Sequence, residues 1–374
     1  MISTMKKPIV NIVTLGCSKN RVDSERLAAS LSHRYDIVHE SEKKSDIVII
    51  NTCGFIESAK QEAIDNILDV AWLKKHRKLR AIIVTGCLAE RYGEEILEEL
   101  PEVDAVLGVG SIHNIVEAIQ TVTAKIPQKY FSKEDKNTVA LGGDRVLTTP
   151  EYATYLKIGE GCDNRCAYCA IPGIRGKFRS RPIEELVEEA VQLEQLGARE
   201  ISIIAQDITR YGLDLYGEYR LDKLLRAITD ATKSVRLRLL YCYPDKITDA
   251  LVAEIRDNDR IIKYIDMPIQ HISDHMLKAM NRHYDSAEYM AIVDRLRAAF
   301  DNASVTTDVM VGFAGETEED FAETPDIVDK VGFDSIYSFI YSKRVGTPAE
   351  KMEDPITYEQ KTERFARLMD LHHE

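Results

Sequence analysis

Three short apolar runs recur early in the chain: Val10-Asn11-Ile12-Val13-Thr14-Leu15, Ile47-Val48-Ile49-Ile50 and Ala81-Ile82-Ile83-Val84. They are rich in Val and Ile and lack the apolar-polar alternation of a half-buried strand, which predicts parallel strands covered on both faces. Amphipathic patterns of helical period follow them near 21–32, 56–70 and 93–100. Residues 1–140 therefore read as an alternating β/α domain on a parallel sheet. The run from Leu141 through Gly142 and Gly143 to Pro150 breaks the rhythm and reads as a linker at 141–150. A second domain is expected over 151–357, with strands near 154–159, 200–205, 235–241, 263–266, 304–311 and 333–341. Helices alternate with them, for example 182–196, capped by Ser180 or Arg181 with Pro182 in its first turn, and 316–331, with Glu316 in its first turn. Six such units fall short of the eight of a closed (β/α) barrel. A last helical pattern occupies 358–374.

Each early run ends in a turn that carries a cysteine: Gly16-Cys17, Asn51-Thr52-Cys53-Gly54 and Thr85-Gly86-Cys87. Ligand sites of parallel α/β sheets lie at the carboxyl ends of the strands, so three residues distant in sequence can converge there. Three further cysteines, Cys162, Cys166 and Cys169, form C-x3-C-x2-C directly after the strand predicted at 154–159. Three thiols on one short loop point to a metal. A cubane iron-sulfur cluster takes one thiolate per iron, so three ligands leave the fourth iron open to chemistry. A zinc loop, which needs a second Cys or His pair, and a set of structural cysteines are the alternatives. Cys242, in Tyr241-Cys242-Tyr243, has no partner spacing and reads as structural.

The total of seven cysteines is odd and fits no disulfide framework, which implies a reducing compartment. No stretch of eighteen apolar residues suggests a membrane span, and residues 1–20 lack a leader layout, so a cytoplasmic protein without membrane attachment is expected. Charge is uneven. Residues 1–140 hold 19 Lys and Arg against 20 Asp and Glu, while 141–374 hold 30 against 42, a net of −12. So acidic a half is a poor platform for nucleic acid and favours a basic partner. Arg175, Lys177, Arg179 and Arg181 alternate after the cysteine loop, which reads as a solvated strand face or as contacts to a cofactor or cluster.

Over essentially its whole length the chain resembles the radical-SAM methylthiotransferase family. The resemblance is carried by Thr14-Leu15-Gly16-Cys17-Ser18-Lys19-Asn20 with Asp23-Ser24-Glu25, by the Cys53 and Cys87 turns, and by the 162–169 loop. One branch, MiaB, modifies an adenosine in tRNA; the other, RimO, modifies an aspartate in a ribosomal protein. Ser18-Lys19-Asn20 after Cys17, the run from Ile171 to Arg181, Leu240-Tyr241-Cys242-Tyr243-Pro244, Pro268-Ile269-Gln270-His271-Ile272-Ser273 and the stretch from Tyr341 to Ala349 resemble the RimO branch. Ser18 and Ala314 depart from that pattern, where proline is usual. Family members also usually close with a small β-barrel, the TRAM domain; this sequence stops at Glu374, so that barrel is expected to be missing from it.

The resemblance implies an open six-unit (β/α) TIM-like barrel with the Cys162 loop after its first strand. It implies two 4Fe-4S clusters, one on Cys162, Cys166 and Cys169 that cleaves S-adenosylmethionine, and one on Cys17, Cys53 and Cys87 that carries sulfur. Two S-adenosylmethionine molecules serve the reaction, one as methyl donor and one as radical source. The product is a methylthio group on the β-carbon of an aspartate in the twelfth small-subunit ribosomal protein, a basic partner. An electron donor such as flavodoxin and a sulfur source are implied as further partners, and tRNA is disfavoured. Tyr168 is expected along the adenine, and Gln206, Asp207, Gln270 and Asp308 at the cofactor; the residue-level alternative for Asp207 is a helix N-cap. His271 reads as a structural histidine. A tRNA-modifying enzyme and a non-catalytic metal-binding scaffold are the competing functions.

Overall fold

The computed structural model describes residues 7–40, 45–76, 79–300 and 302–372. Residues 1–6, on which the expected lack of a leader partly rests, and residues 373–374 of the last helical pattern lie outside these. The chain divides into two compact units, Met1–Thr149 with Gly173–Lys177, and Pro150–Pro172 with Phe178–Glu374.

In the first unit, strands β1 (Ile9–Thr14), β2 (Asp36–His39), β3 (Ile47–Thr52), β4 (Ala81–Gly86), β5 (Ala105–Leu107) and β6 (Tyr130–Ser132) form one parallel sheet in the order β2-β1-β3-β4-β5-β6. The helices α1 (Ser18–Ser32), α2 (Glu57–His76), α3 (Cys87–Glu99) and α4 (Ile115–Val122) cover it. Successive residues of β3 serve opposite faces: Ile47 and Ile49 pack with Leu27, Leu31 and Ile119, whereas Val48 and Ile50 pack with Ile67, Ala71 and Leu88. That is why the run reads as unbroken apolar sequence, and each such side chain contributes about 1.5–3 kcal/mol on burial. Two helices begin earlier than the periodicity predicts, α1 at Ser18 with Cys17 as its N-cap and α3 at Cys87 itself. In α1 the stripe misses the polar first turn Ser18-Lys19-Asn20, and in α3 non-helical Tyr92 breaks the helix, so the pattern at 93–100 marks only the part after the break.

In the second unit, β7 (Ala153–Lys157), β10 (Glu200–Ile204), β11 (Arg236–Leu239), β12 (Ile261–Asp266), β13 (Ser304–Val311) and β14 (Ser335–Ile340) form a second all-parallel sheet, ordered β14-β13-β12-β11-β10-β7. Among the described residues β7 pairs only with β10 and β14 only with β13, the open arrangement expected of six units. A short antiparallel pair, β8 (Gly159–Glu160) with β9 (Arg179–Ser180), flanks the cysteine loop. After α5 (Ile171–Arg175), whose last three residues belong to the first unit, the intervening helices are α6 (Ile183–Gln195), α7 (Leu213–Tyr216), α8 (Leu221–Ala231), α9 (Asp249–Asp257), α10 (Asp274–Ala279), α11 (Ser286–Ala299) and α12 (Glu318–Val331), with α13 (Tyr358–His372) last.

Two capping expectations change. Neither Ser180 nor Arg181 caps α6: Pro182 occupies the N-cap, and the Ser180 hydroxyl donates to Asp214 at 2.6 Å. Glu316 precedes α12, which is closed instead by a capping box of Thr317 and Asp320. The Asp320 carboxylate also accepts from Ser273 at 2.5 Å and from the His275 ring at 3.0 Å. Burial opposes ionisation, but these donors prevail and hold Asp320 down at about 2. Because the folded value lies below the unfolded one, the contribution is present above pH 4 and is lost as pH falls toward 2. Asp320→Ala is expected to cost about 1–2 kcal/mol near neutral pH. Urea unfolding should show that deficit shrinking as the pH is lowered through that window; a deficit independent of pH would refute the assignment.

Candidate functional site

The N-terminal cysteines stand at the carboxyl ends of the adjacent strands β1, β3 and β4, at the point where the strand order reverses and ligands of such sheets bind. Two glycines permit the close approach. A Cβ on Gly16, whose φ is +86°, would lie 2.7 Å from the Cβ of Cys53, and one on Gly86, at φ +93°, would lie 2.4 Å from Asn51 Oδ1. The strand ends are laced together by two buried asparagines. Asn20 Nδ2 donates to the Leu15 and Thr52 carbonyls at 2.9 and 3.0 Å, and Asn51 Nδ2 donates to the Asn20 carbonyl at 2.9 Å. Thr52 Oγ1 donates to the Thr85 carbonyl at 2.5 Å.

Asp23, Ser24 and Glu25 do three different jobs. Asp23 pairs with Arg175 at 2.7 Å, Ser24 meets Thr14 and Asn51, and Glu25 takes Arg145 at 2.6 Å and Thr148 at 2.8 Å. The segment read as a linker is thereby pinned to α1.

Cys17 lies at an exposed edge, Cys53 is half-buried and Cys87 is buried. Burial pushes the Cys87 thiol up to about 11 although Arg175 pulls the other way, and it raises Cys53 as well. Around Cys17 burial is outweighed by Lys19 and Arg175, which lower it. The N-termini of α1 and α3 meet Cys17 and Cys87, where helix dipoles favour anionic sulfur.

In the second unit the C-x3-C-x2-C loop is fixed from several elements. Ala167 N donates to the Met280 carbonyl at 2.8 Å, Ala349 N to the Ala167 carbonyl at 2.9 Å, and Arg344 to the Tyr168 carbonyl at 3.0 Å. Arg282 donates to Cys166 Sγ at 3.4 Å and to the Tyr168 hydroxyl at 3.3 Å. Of the five described non-glycine residues with positive φ, four lie in this unit: Arg165 in the loop, Asn281 bound to its carbonyl, and Tyr241 and Gln270 beyond β11 and β12. Backbone strain of this kind gathers at functional sites. Burial pushes the Cys162 thiol up, and it pushes Cys169 up to about 12 with Cys166 adding to the effect. Thiolates here call for a compensating metal charge.

The expected cofactor residues fall in different places. Gln206 follows β10; its amide nitrogen donates to Glu160 at 2.9 Å, while its buried Oε1 has no partner among the described residues. Asn164 Oδ1, in the cysteine loop, is unpartnered in the same way. Two buried acceptors without donors suit an ammonium ligand. Asp207 caps the following turn through Thr209 N at 3.0 Å and takes Asn164 Nδ2 at 2.8 Å, so it orders the loop. Tyr168 is buried, edge-on to Phe313 at 6.3 Å. Gln270 N donates to the Asp308 carbonyl at 2.8 Å, tying the turn after β12 to the half-buried Asp308 of β13. The Nδ1 of His271 accepts from Ile272 N and Ser273 N at 3.0 and 3.1 Å, which leaves its proton on Nε2, 3.4 Å from buried Glu316. Nε2 itself makes no hydrogen bond among the described residues.

Sequence reasoning missed Glu160, Asn164, Arg282 and Arg344, which no spacing advertises. Of the two readings of the basic run, the solvated face holds only for exposed Lys177: Arg181 is buried on Glu189 at 2.6 Å, and buried Arg175 reaches Cys87, a contact of the kind the second reading expected. Among the described residues no three His, Cys, Asp or Glu side chains converge as they would on a single ion.

Residues 9–108 match the model described as Uncharacterized protein family UPF0004, and residues 156–327 match the Radical SAM superfamily. The chain is 46 % identical over 367 residues to ribosomal protein uS12 methylthiotransferase RimO of Desulforamulus reducens, covering 98 % of this chain and 83 % of that protein. It is 45 % identical to the protein of the same description from Clostridium kluyveri, covering 98 % of this chain and 82 % of that one. Among solved structures, the cobalamin-dependent S-adenosylmethionine radical enzyme OxsB matches 98 % of this chain and 56 % of its own, with a TM-score of 0.60 at 11 % identity. The radical S-adenosylmethionine methyltransferase TsrM of Kitasatospora setae matches 89 % of this chain and 73 % of its own, with a TM-score of 0.58 at 14 % identity. At such identities these two likenesses concern the fold alone.

Proposed function

This chain belongs to the RimO family of radical-SAM methylthiotransferases, and from that premise we propose that it transfers a methylthio group to the β-carbon of an aspartate in ribosomal protein uS12. The reading takes two 4Fe-4S clusters, one on Cys17, Cys53 and Cys87 and one on Cys162, Cys166 and Cys169, and two S-adenosylmethionine molecules per product. The observation that carries it is the set of three thiols at three adjacent strand ends, cradled by Gly16 and Gly86, in addition to the loop triad. When bound, the loop cluster would supply the electron that cleaves S-adenosylmethionine, and the N-terminal cluster would supply the sulfur.

The chain's own residues do the rest. Gln206 and Asn164 offer acceptors to the methionine ammonium, while Asp207, through Asn164, and Arg282, through Cys166, hold the loop. Tyr168, Gln270 and Asp308 belong to the same proposed cofactor environment. Residues 1–140 and 151–357 are taken as the sulfur-donating and radical-generating domains. An external electron donor, a sulfur source and a cytoplasmic setting complete the reading. No described helix is long and apolar enough to cross a membrane.

Iron and labile sulfide near eight per chain, and a methylthiolated aspartate peptide after anaerobic incubation with uS12, are the expected results. Zinc near one or two, or modification of unmodified tRNA instead, would sink the proposal. Because residues 141–374 carry a net charge of −12, binding to basic uS12 should weaken as salt is raised, over a Debye length of about 8 Å near physiological ionic strength. Titration calorimetry at several salt concentrations checks this, and a salt-independent affinity would count against it.

A further inference from the structure

Arg175 is among the largest fully buried side chains, 2 % exposed, and lies in the segment Gly173–Lys177 that belongs to the first unit. Its guanidinium reaches three groups: Asp23 Oδ2 at 2.7 Å, Asn20 Oδ1 at 2.5 Å and Cys87 Sγ at 3.5 Å. Asn20 cannot turn away, because its Nδ2 is held by the Leu15 and Thr52 carbonyls. The fork is therefore oriented from two sides with one N–H directed at sulfur. A buried ion pair is a weak source of stability, since apolar side chains of similar volume often serve as well. The pair with Asp23 does not account for the donor on sulfur. Arg175 also acts electrostatically on Cys17 and Cys53, so its charge bears on all three thiols.

We infer that Arg175 is a positioning residue of the N-terminal cysteine site, orienting Cys87 and placing one positive charge against the metal-sulfur group held there, so that the more reduced state is favoured. The inference rests on reading Cys17, Cys53 and Cys87 as cluster ligands. Charge and hydrogen bonds to sulfur set the potential of such clusters. Asp23 acts with the opposite sign, and this separates an electrostatic role from a structural one. Loss of either partner breaks the same salt bridge, but the two losses move the potential in opposite directions.

The test uses the full chain with Cys162, Cys166 and Cys169 replaced by Ala, so that one cluster signal remains. Iron should be about four per chain after anaerobic reconstitution; iron near zero would remove the cluster reading and the inference with it. With iron retained, a redox titration followed by electron paramagnetic resonance should show Arg175→Gln lowering the midpoint. The expected shift is about tenfold in the one-electron equilibrium, roughly 59 mV. Asp23→Asn should raise the midpoint. Unchanged potentials in both variants, with matched losses of thermal stability, would overturn the proposal and leave a structural ion pair. Should Arg175→Gln fail to hold iron, Asp23→Asn and the charge-retaining Arg175→Lys decide. A raised midpoint in the first with a near-native one in the second supports the role; an unmoved midpoint in Asp23→Asn refutes it.

Discussion

Replacing Cys17, Cys53 and Cys87 together by Ala is expected to abolish methylthio transfer to below detection while 5′-deoxyadenosine production stays measurable. The two cysteine sets belong to different compact units, each with its own sheet. Removing three thiols from the ends of β1, β3 and β4 takes nothing from the loop that Met280, Ala349, Arg282 and Arg344 hold in the second unit. The reciprocal replacement of Cys162, Cys166 and Cys169 should abolish 5′-deoxyadenosine formation. In each triple variant iron should fall from about eight to about four per chain. Mass spectrometry of the nucleoside and of the uS12 peptide reads both activities in one incubation. Methylthiolation by the N-terminal triple variant would end the two-cluster account.

The second large effect concerns stability. Glu25 is fully buried, and its carboxylate accepts from Arg145, from Thr148 N at 2.8 Å and from Thr148 Oγ1 at 2.9 Å. Glu25→Ala would leave the buried Arg145 without this carboxylate, a change that costs about 3–5 kcal/mol. That is a large share of the roughly 5–15 kcal/mol that holds a domain folded. The first unit should therefore unfold at markedly lower urea, and protease should cut near 141–150. Removing both charges, as Glu25→Met with Arg145→Met, should be milder than Glu25→Ala alone, because the guanidinium that this carboxylate balanced is then removed with it. A double variant no better than the single one would show that the cost lies elsewhere, in the lost Thr148 contacts.

Much of this was readable along the chain. Parallel strands buried on both faces must be apolar at every position, so 47–50 and 81–84 could be little else, and a cysteine after each such run has its place at a strand's carboxyl end. The C-x3-C-x2-C spacing is local and needs no fold to be seen. The helix starts at Ser18 and Cys87 were not readable, because the first turn of α1 is polar and the break at Tyr92 interrupts the period of α3. The alternation of Arg175, Lys177, Arg179 and Arg181 left a solvated face and contacts to a cofactor or cluster both open; which arginine is exposed depends on partners such as Asp23 and Glu189, at distances in sequence that no local pattern encodes.

The sequence by itself thus determined the alternation of strands and helices, the two cysteine sets and the family. Those depend on short-range periodicity and on residue types that tolerate few substitutes. Tertiary structure alone decided which polar groups meet: Arg282 on Cys166, Arg175 on Cys87, Asn164 on Asp207, Glu25 on Arg145. A buried charge must find its partner through space, and burial, which only the folded chain creates, makes that pairing necessary.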